Sequence, residues 1–136
     1  MGTWAVDAFG NDYAQDWAED LHETSNLDAV EDTLNTVLDS GAELEAPFAA
    51  EALAAIEVLA RLQGKGGPRT EDSAAVDGWV DARKAKAKPR ADLAEKAVRA
   101  IERILSPESE LRQLWEDSEH YADWRAAVED LRGRLN

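Results

Sequence analysis

Apolar residues recur along most of this chain at the spacing of three and four positions that marks amphipathic helices. The first such stretch follows Asn11, a residue type that favours helix N-caps, and places Tyr13, Trp17 and Leu21 on one face. No alternating apolar and polar stretch is long enough to predict a strand. The pattern therefore predicts an all-α fold, a single compact bundle of five to seven helices that forms one domain over residues 1–136.

One segment, APFAAEALAAIEVLARLQG at residues 46–64, is apolar over most of the circumference that a helix would have. A helix that is hydrophobic all round is normally buried, so we predict this one at the centre of the bundle. Further along, the apolar stripes of residues 111–115 and 121–135 are out of phase with each other. The phase change predicts a kink, or a junction of two helices, near Ser118–His120.

Several polar residues have the character of helix boundaries. Ser25 or Asn26 is predicted to cap the second helix, and Thr70 to cap a short helix around residue 79. Ser106 followed by Pro107 is predicted to be the N-cap and first position of a later helix, because proline is well tolerated there.

Aromatic side chains could line a ligand pocket, and the chain has five tryptophans: Trp4, Trp17, Trp79, Trp115 and Trp124. Each falls on or next to an apolar stripe. Large aromatic side chains in that position usually pack in a core, so we predict a structural role for them.

The charge of the chain is concentrated in its first part. The formal net charge is -14, and residues 1–60 contain 14 Asp and Glu but no Lys or Arg. Nucleic acids and anionic membranes attract concentrated positive charge, so we expect neither as a partner. The basic segment at residues 83–90 has no interleaved aromatic residues for base stacking, and we interpret it as a solvated loop.

The chain contains no cysteine, which excludes disulfides, thiol chemistry and cysteine zinc sites. Its first ten residues, MGTWAVDAFG, lack the positive and apolar regions of a secretory signal. No apolar run approaches the length of a membrane span. We therefore expect a cytoplasmic protein.

Acidic side chains crowd the first predicted helix at spacings of three and four residues: Asp12, Asp16, Glu19, Asp20 and Glu23. This spacing places them on adjoining strips of one helix surface. They are our candidate partner-binding residues, with Asp28, Glu31 and Asp32 of the second helix as helpers. Their role would be electrostatic steering and charge-assisted hydrogen bonding to a basic protein surface. The alternative is a solvated helix face without a partner, which is the default for exposed carboxylates.

A metal site is a weaker alternative. Two segments, Glu19-x-x-His22 and Asp117-x-x-His120, place a carboxylate three residues before a histidine. Di-iron helix bundles use this spacing with glutamate as the carboxylate. Glu51, inside the apolar arc of the third helix, could be a buried third ligand. Such spacing is weak in a chain with 29 acidic residues, so we predict no metal and no cofactor.

Catalytic motifs are missing from the sequence. It has no HExxH, no GxSxG and no complete phosphate-binding loop, and nothing pairs a nucleophile with an oriented base. Glu51 and Glu57 are expected to make structural polar contacts that tie the third helix to a neighbour, and Arg61, four residues after Glu57, is its predicted surface partner. We expect a protein without catalytic activity.

Three blocks of the sequence resemble a known family. The first block contains Trp4, Phe9, Asn11-Asp12, Ala14, Asp16-Trp17 and Leu21; the others are Ala52–Val58 and Ser109–Glu116, followed by Trp124. Together they are similar to the bacterial domain of unknown function 4259 family over nearly the whole chain. The resemblance implies a small helical cytosolic domain and brings no known activity with it.

The sequence favours a non-catalytic interaction module, of which an immunity or antitoxin-like protein is one concrete form. A decoy that imitates the charge of nucleic acid and a metal-binding bundle are the alternatives.

Overall fold

The computed structural model describes residues 9–23, 27–66, 73–83 and 91–135. Within these ranges the chain forms seven helices and no strand, which confirms the predicted all-α bundle. The helices are α1 (Asp12–Leu21), α2 (Asp28–Leu38), α3 (Ala46–Leu62), α4 (Ala74–Arg83), α5 (Ala91–Ile104), α6 (Glu110–Glu116) and α7 (Tyr121–Arg134). None of the described helices has the length and apolar content that crossing a bilayer requires.

Helix α3 occupies the centre of the bundle, as its apolar circumference predicts. It packs against each of the other six helices, and every residue from 52 to 61 is buried. Its alanines are enclosed on all sides, and Ile56 and Val58 are fully buried among them. The element that the sequence singles out is therefore the one around which the others assemble.

Both ends of α3 are fixed by specific hydrogen bonds. At the start, a carboxylate oxygen of Glu110 accepts a hydrogen bond of 2.8 Å from the backbone N–H of Ala46. At the other end, Gly64 adopts φ 76°, a left-handed conformation that glycine adopts without steric cost. The N–H of Lys65 then donates to the carbonyl of Ala60 at 2.8 Å, and that of Gly64 to Arg61 at 3.0 Å. This is the Schellman arrangement, which satisfies carbonyls that the helix end leaves open.

Of the helix boundaries predicted from the sequence, one is confirmed, one is wrong and the others lie outside the described residues. Asn11 caps α1, because its side-chain oxygen accepts from the N–H of Ala14 at 2.9 Å. The prediction for Ser106 and Pro107 is wrong, since α6 begins at Glu110 and Ser109 is its N-cap. The Ser106 hydroxyl instead donates to the carbonyl of Arg103 at 2.6 Å, which closes the end of α5. The predicted caps at residues 25, 26 and 70 lie outside the described residues.

Backbone hydrogen bonds with Leu44 explain the displaced start of α6. Leu44 and Ser109 form an isolated parallel bridge, in which the Leu44 N–H donates to Glu108 and the Leu44 carbonyl accepts from Glu110. These bonds hold Ser109 in an extended conformation, directly after the turn that follows α5. A helix could not begin at Pro107 without breaking them.

The tryptophans in the described ranges are core residues, as predicted: Trp17, Trp79, Trp115 and Trp124 are all buried, and Trp4 lies outside those ranges. The rings of Trp115 and Trp124 stack at 6.1 Å across the junction of α6 and α7. The predicted phase change therefore marks the end of one helix and the start of another.

Two predicted stripe residues are exposed rather than buried. Tyr13 is 41% exposed and Leu114 is 38% exposed. The buried face of α1 is centred on Ala14, Trp17 and Leu21, which leaves Tyr13 at its margin. In α6, a helix of only two turns, Leu111 and Trp115 supply the contact with the core.

Candidate functional site

The acidic face of α1 consists of the five predicted partner-binding residues: Asp12, Asp16, Glu19, Asp20 and Glu23. All five side chains are exposed, and Glu23 lies in the turn that follows the helix. The opposite side of α1 is buried through Ala14, Trp17, Ala18 and Leu21. The structure therefore brings the five carboxylates together on one solvent-facing surface, as the spacing predicts.

None of these five side chains has an ion-pair partner within the described part of the chain. The helper residue Glu31 differs, because Lys96 of α5 lies 3.1 Å from its carboxylate. Both side chains of that pair are about a quarter exposed, at 25% and 27%. The pair ties α2 to α5 and cancels part of the charge that Glu31 would offer a partner.

Two hydrogen bonds hold α1 in place on the bundle. The indole N–H of Trp17 donates to the Thr33 hydroxyl of α2 at 2.8 Å. Nε2 of His22 lies 2.9 Å from the carbonyl oxygen of Ala75 in α4, a contact in which the ring N–H donates. The acidic face is thus carried by a helix fixed at its middle and at its C-terminal end.

Glu51 of α3 adds a sixth carboxyl group beside this face. Its side chain is half-buried, and the described residues form no ligand set around it. Burial raises the pKa of the Glu51 carboxyl, and the nearby charges of Asp20 and Asp16 raise it further. The carboxyl therefore takes up a proton more readily than an isolated glutamate does.

A buried ionic network lies at the other end of α3, where the sequence predicts a structural polar contact to a neighbouring helix and a surface pair with Arg61. Glu57 is buried, and both of its carboxylate oxygens accept hydrogen bonds from Arg134 of α7, at 2.9 and 3.0 Å. The predicted partner Arg61 is also near, with Nε 3.8 Å from Glu57, but it too is buried. The main partner of Glu57 is therefore the bidentate arginine of α7.

The same network reaches α4. Nη1 of Arg61 lies 3.5 Å from Asp77, whose other carboxylate oxygen accepts a 2.7 Å hydrogen bond from the Ser73 hydroxyl. Arg61, Asp77 and Ser73 are all buried. Sequence reasoning missed the partner Arg134 because it is 77 residues from Glu57, and no local spacing signals the contact. Every charge in it faces an opposite charge, so the arrangement ties α3, α4 and α7 together.

The residues considered for a metal site are not brought together in a ligand set. The described residues contain no group of three or more His, Cys, Asp or Glu side chains placed to hold an ion. His22 contacts a backbone carbonyl, and Nδ1 of the exposed His120 lies 3.8 Å from Asp123 on α7.

An open groove of about 500 Å³ lies between α5 and the end of α7. It is lined by Ala94, Glu95, Val98, Arg99 and Leu135. No residue of the acidic face borders this groove.

A family model described as Domain of unknown function (DUF4259) matches residues 2–127 of the 136-residue chain. The chain belongs to this family. Comparison with curated proteins and with solved structures found no match to either.

The opening block of this DUF4259 member combines structural and exposed residues. Phe9 and Trp17 are buried, and Asn11 caps α1. Asp12, directly after Asn11, and Asp16, directly before Trp17, are exposed. Phe9 and Trp17 thus anchor α1, and Asp12 and Asp16 between them face solvent.

Proposed function

We propose that this DUF4259 member is a non-catalytic interaction module whose acidic face on α1 docks a basic surface of another protein. An immunity or antitoxin-like protein, which covers a basic partner, is one concrete form of this role. The observation that carries the proposal is that all five carboxylates of the acidic face are exposed and have no ion-pair partner in the described part of the chain.

The distribution of charge supports the same proposal. Residues 1–60 contain no Lys or Arg that could neutralise the acidic face from a neighbouring position on α1, α2 or most of α3. A field of one sign steers an oppositely charged partner and raises association rates by about 10- to 1000-fold at low ionic strength. Carboxylates at the contact then form charge-assisted hydrogen bonds with arginine or lysine.

The experiment compares capture of basic proteins by the wild-type chain and by a charge-reversed variant, Asp16→Lys with Asp20→Lys. Both positions are exposed and lie beside Glu51, so the new lysines relieve repulsion and the fold is retained. The matched control is Asp117→Lys with Glu119→Lys, which changes the net charge equally at exposed positions between α6 and α7.

The proposal expects a basic protein from the source cell to be retained by wild type and by the control but lost from the Asp16/Asp20 variant. Equal retention by all three proteins would show that docking does not use the acidic face. Loss from both variants would show that only the net charge matters, and it would favour a charge-imitating decoy over a defined docking site.

The alternatives have less support. The metal-binding alternative has no support from the described residues, because they assemble no ligand set. No observation favours the decoy over a docking site. The expected cytoplasmic location stays a prediction, as does the absence of catalytic activity.

A further inference from the structure

One exposed aromatic side chain lies on α1, which carries the acidic face, and another lies on α3, which packs against α1. The large hydrophobic residues that are exposed in the described ranges are Tyr13 on α1, Phe48 on α3 and Leu114 on α6. Tyr13 and Phe48 are 41% and 40% exposed. Aromatic side chains of this kind are enriched in protein interfaces, where they act as anchors.

Helices α1 and α3 pack together and run antiparallel. At one end of the pair, the guanidinium of Arg61 lies 5.5 Å from the centre of the Phe9 ring, just before α1 begins. Further along α1, the charges of Asp16 and Asp20 act on Glu51. Residues with higher numbers on α1 therefore lie beside residues with lower numbers on α3. This order places Tyr13 toward one end of the contact and Phe48 toward the other.

Helical spacing joins these aromatic residues to the carboxylates. Tyr13 is three residues from Asp16 on α1, and Phe48 is three residues from Glu51 on α3, so each pair lies on one side of its helix. In this antiparallel order, the positions of Asp16, Asp20 and Glu51 along the helix pair fall between those of Tyr13 and Phe48. We call these five residues the mixed face: Tyr13, Asp16, Asp20, Phe48 and Glu51.

Arginine suits such a surface better than lysine. Its planar guanidinium pairs with a carboxylate through two hydrogen bonds and stacks on an aromatic ring, whereas the lysine ammonium is a compact and strongly hydrated charge. This chain already contains two such contacts of its own, Arg61 with Phe9 at 5.5 Å and Arg83 with Trp79 at 4.5 Å.

We propose that the mixed face binds an arginine-bearing segment of the basic partner and selects arginine over lysine. The carboxylates hold the guanidinium groups, and the rings of Tyr13 and Phe48 stack on them at the two ends. This inference rests on the proposed function, because it specifies the chemistry of the partner that the acidic face docks.

The test measures binding of a nona-arginine and a nona-lysine peptide to the full chain by calorimetry at fixed ionic strength. The wild type should bind nona-arginine about fivefold or more tightly than nona-lysine, since two exposed cation–π contacts contribute roughly 0.5–1 kcal/mol each. The variant Tyr13→Leu with Phe48→Leu keeps apolar side chains and removes the rings, so its preference for arginine should fall to the level of an unstructured polyanion. The control Leu114→Ala changes a side chain of similar exposure on α6 and should leave the preference intact.

A third variant separates this inference from the proposed function. Asp16→Asn with Asp20→Asn should weaken binding of both peptides, because it removes charge from the acidic face. If it does so while the ring-free variant keeps the arginine preference, the selectivity of the mixed face is overturned and the docking role stands. If neither peptide depends on Asp16 and Asp20, both the selectivity and the docking role are overturned.

Discussion

At the scale of single residues, Glu51 shows how the carboxylates of the acidic face affect the stability of the fold. The carboxyl is half-buried beside Asp16 and Asp20, and burial together with these two charges raises its pKa from the ordinary value of 4.5. A raised pKa in the folded state means that the folded chain binds the Glu51 proton more tightly than the unfolded chain does. The stability that this proton contributes is present below pH 4.5 and is lost as the pH rises through the raised value.

The substitution Glu51→Gln should therefore increase the free energy of unfolding at pH 7, because glutamine keeps the shape and carries no charge to desolvate or repel. We expect a gain below about 1 kcal/mol, since the side chain is half exposed and solvent screens its interactions. Urea denaturation at pH 7 and at pH 4 measures the effect. The gain over wild type should shrink toward zero at pH 4.

A control at an exposed carboxyl, Glu119→Gln, should show little change at either pH. A Glu51→Gln protein that is less stable than wild type at pH 7 would contradict this account. It would mean that the charged carboxylate makes a favourable contact.

At the scale of elements, the helices follow from local sequence while their contacts do not. The cap at Asn11 and the break between α6 and α7 were predictable because both depend on neighbouring residues. The start of α6 was misplaced because hydrogen bonds of residues 108 and 110 with Leu44, far away in the sequence, hold Ser109 extended. The ion pair of Glu57 with Arg134 was missed for the same reason.

The ion pair of Glu57 with Arg134 links α7 to α3. Arg134 donates to both oxygens of Glu57 and to the carbonyl of Lys65, and it also contacts Asp130. Burial by itself would lower the pKa of Arg134, but the hydrogen bonds and charges of Glu57 and Asp130 outweigh burial and raise it. The guanidinium therefore stays charged.

Removing Arg134 should destabilise the protein much more than removing a neighbouring arginine. Arg134→Ala leaves the buried Glu57 carboxylate without its bidentate partner, which should cost about 2–4 kcal/mol. The matched control is Arg132→Ala on the same helix, because Arg132 pairs with Glu102 at 2.9 Å while both side chains are about half exposed, at 44% and 54%.

The control should cost less than about 1 kcal/mol, as exposed ion pairs usually do. Chemical denaturation of the two variants gives the comparison. Equal losses of unfolding free energy in both would show that the Glu57–Arg134 pair does not anchor α7 to the bundle.

At the scale of the whole molecule, the chain combines a neutralised buried network with one exposed face, on α1, whose charges are all negative. The buried charges of Glu57, Arg61 and Asp77 face one another, whereas the five carboxylates of the acidic face have no such counterpart in the described residues. The central position of α3 and the exposure of the acidic face were both predictable, because each follows from helical periodicity. The exposure of Tyr13 and Phe48 near the carboxylates could not be predicted from the sequence, because it depends on how α1 packs on α3.

The most direct test of the central claim is to map where a polycation binds. The isotope-labelled full chain is titrated with the nona-arginine peptide, and the shifts of backbone amide resonances are followed at low and at high ionic strength. We predict that the largest shifts occur at residues 12–23 and 48–51, and that they diminish as salt screens the acidic face. Shifts that are concentrated at the carboxylates between α6 and α7, or spread evenly over the acidic residues of the chain, would contradict the account.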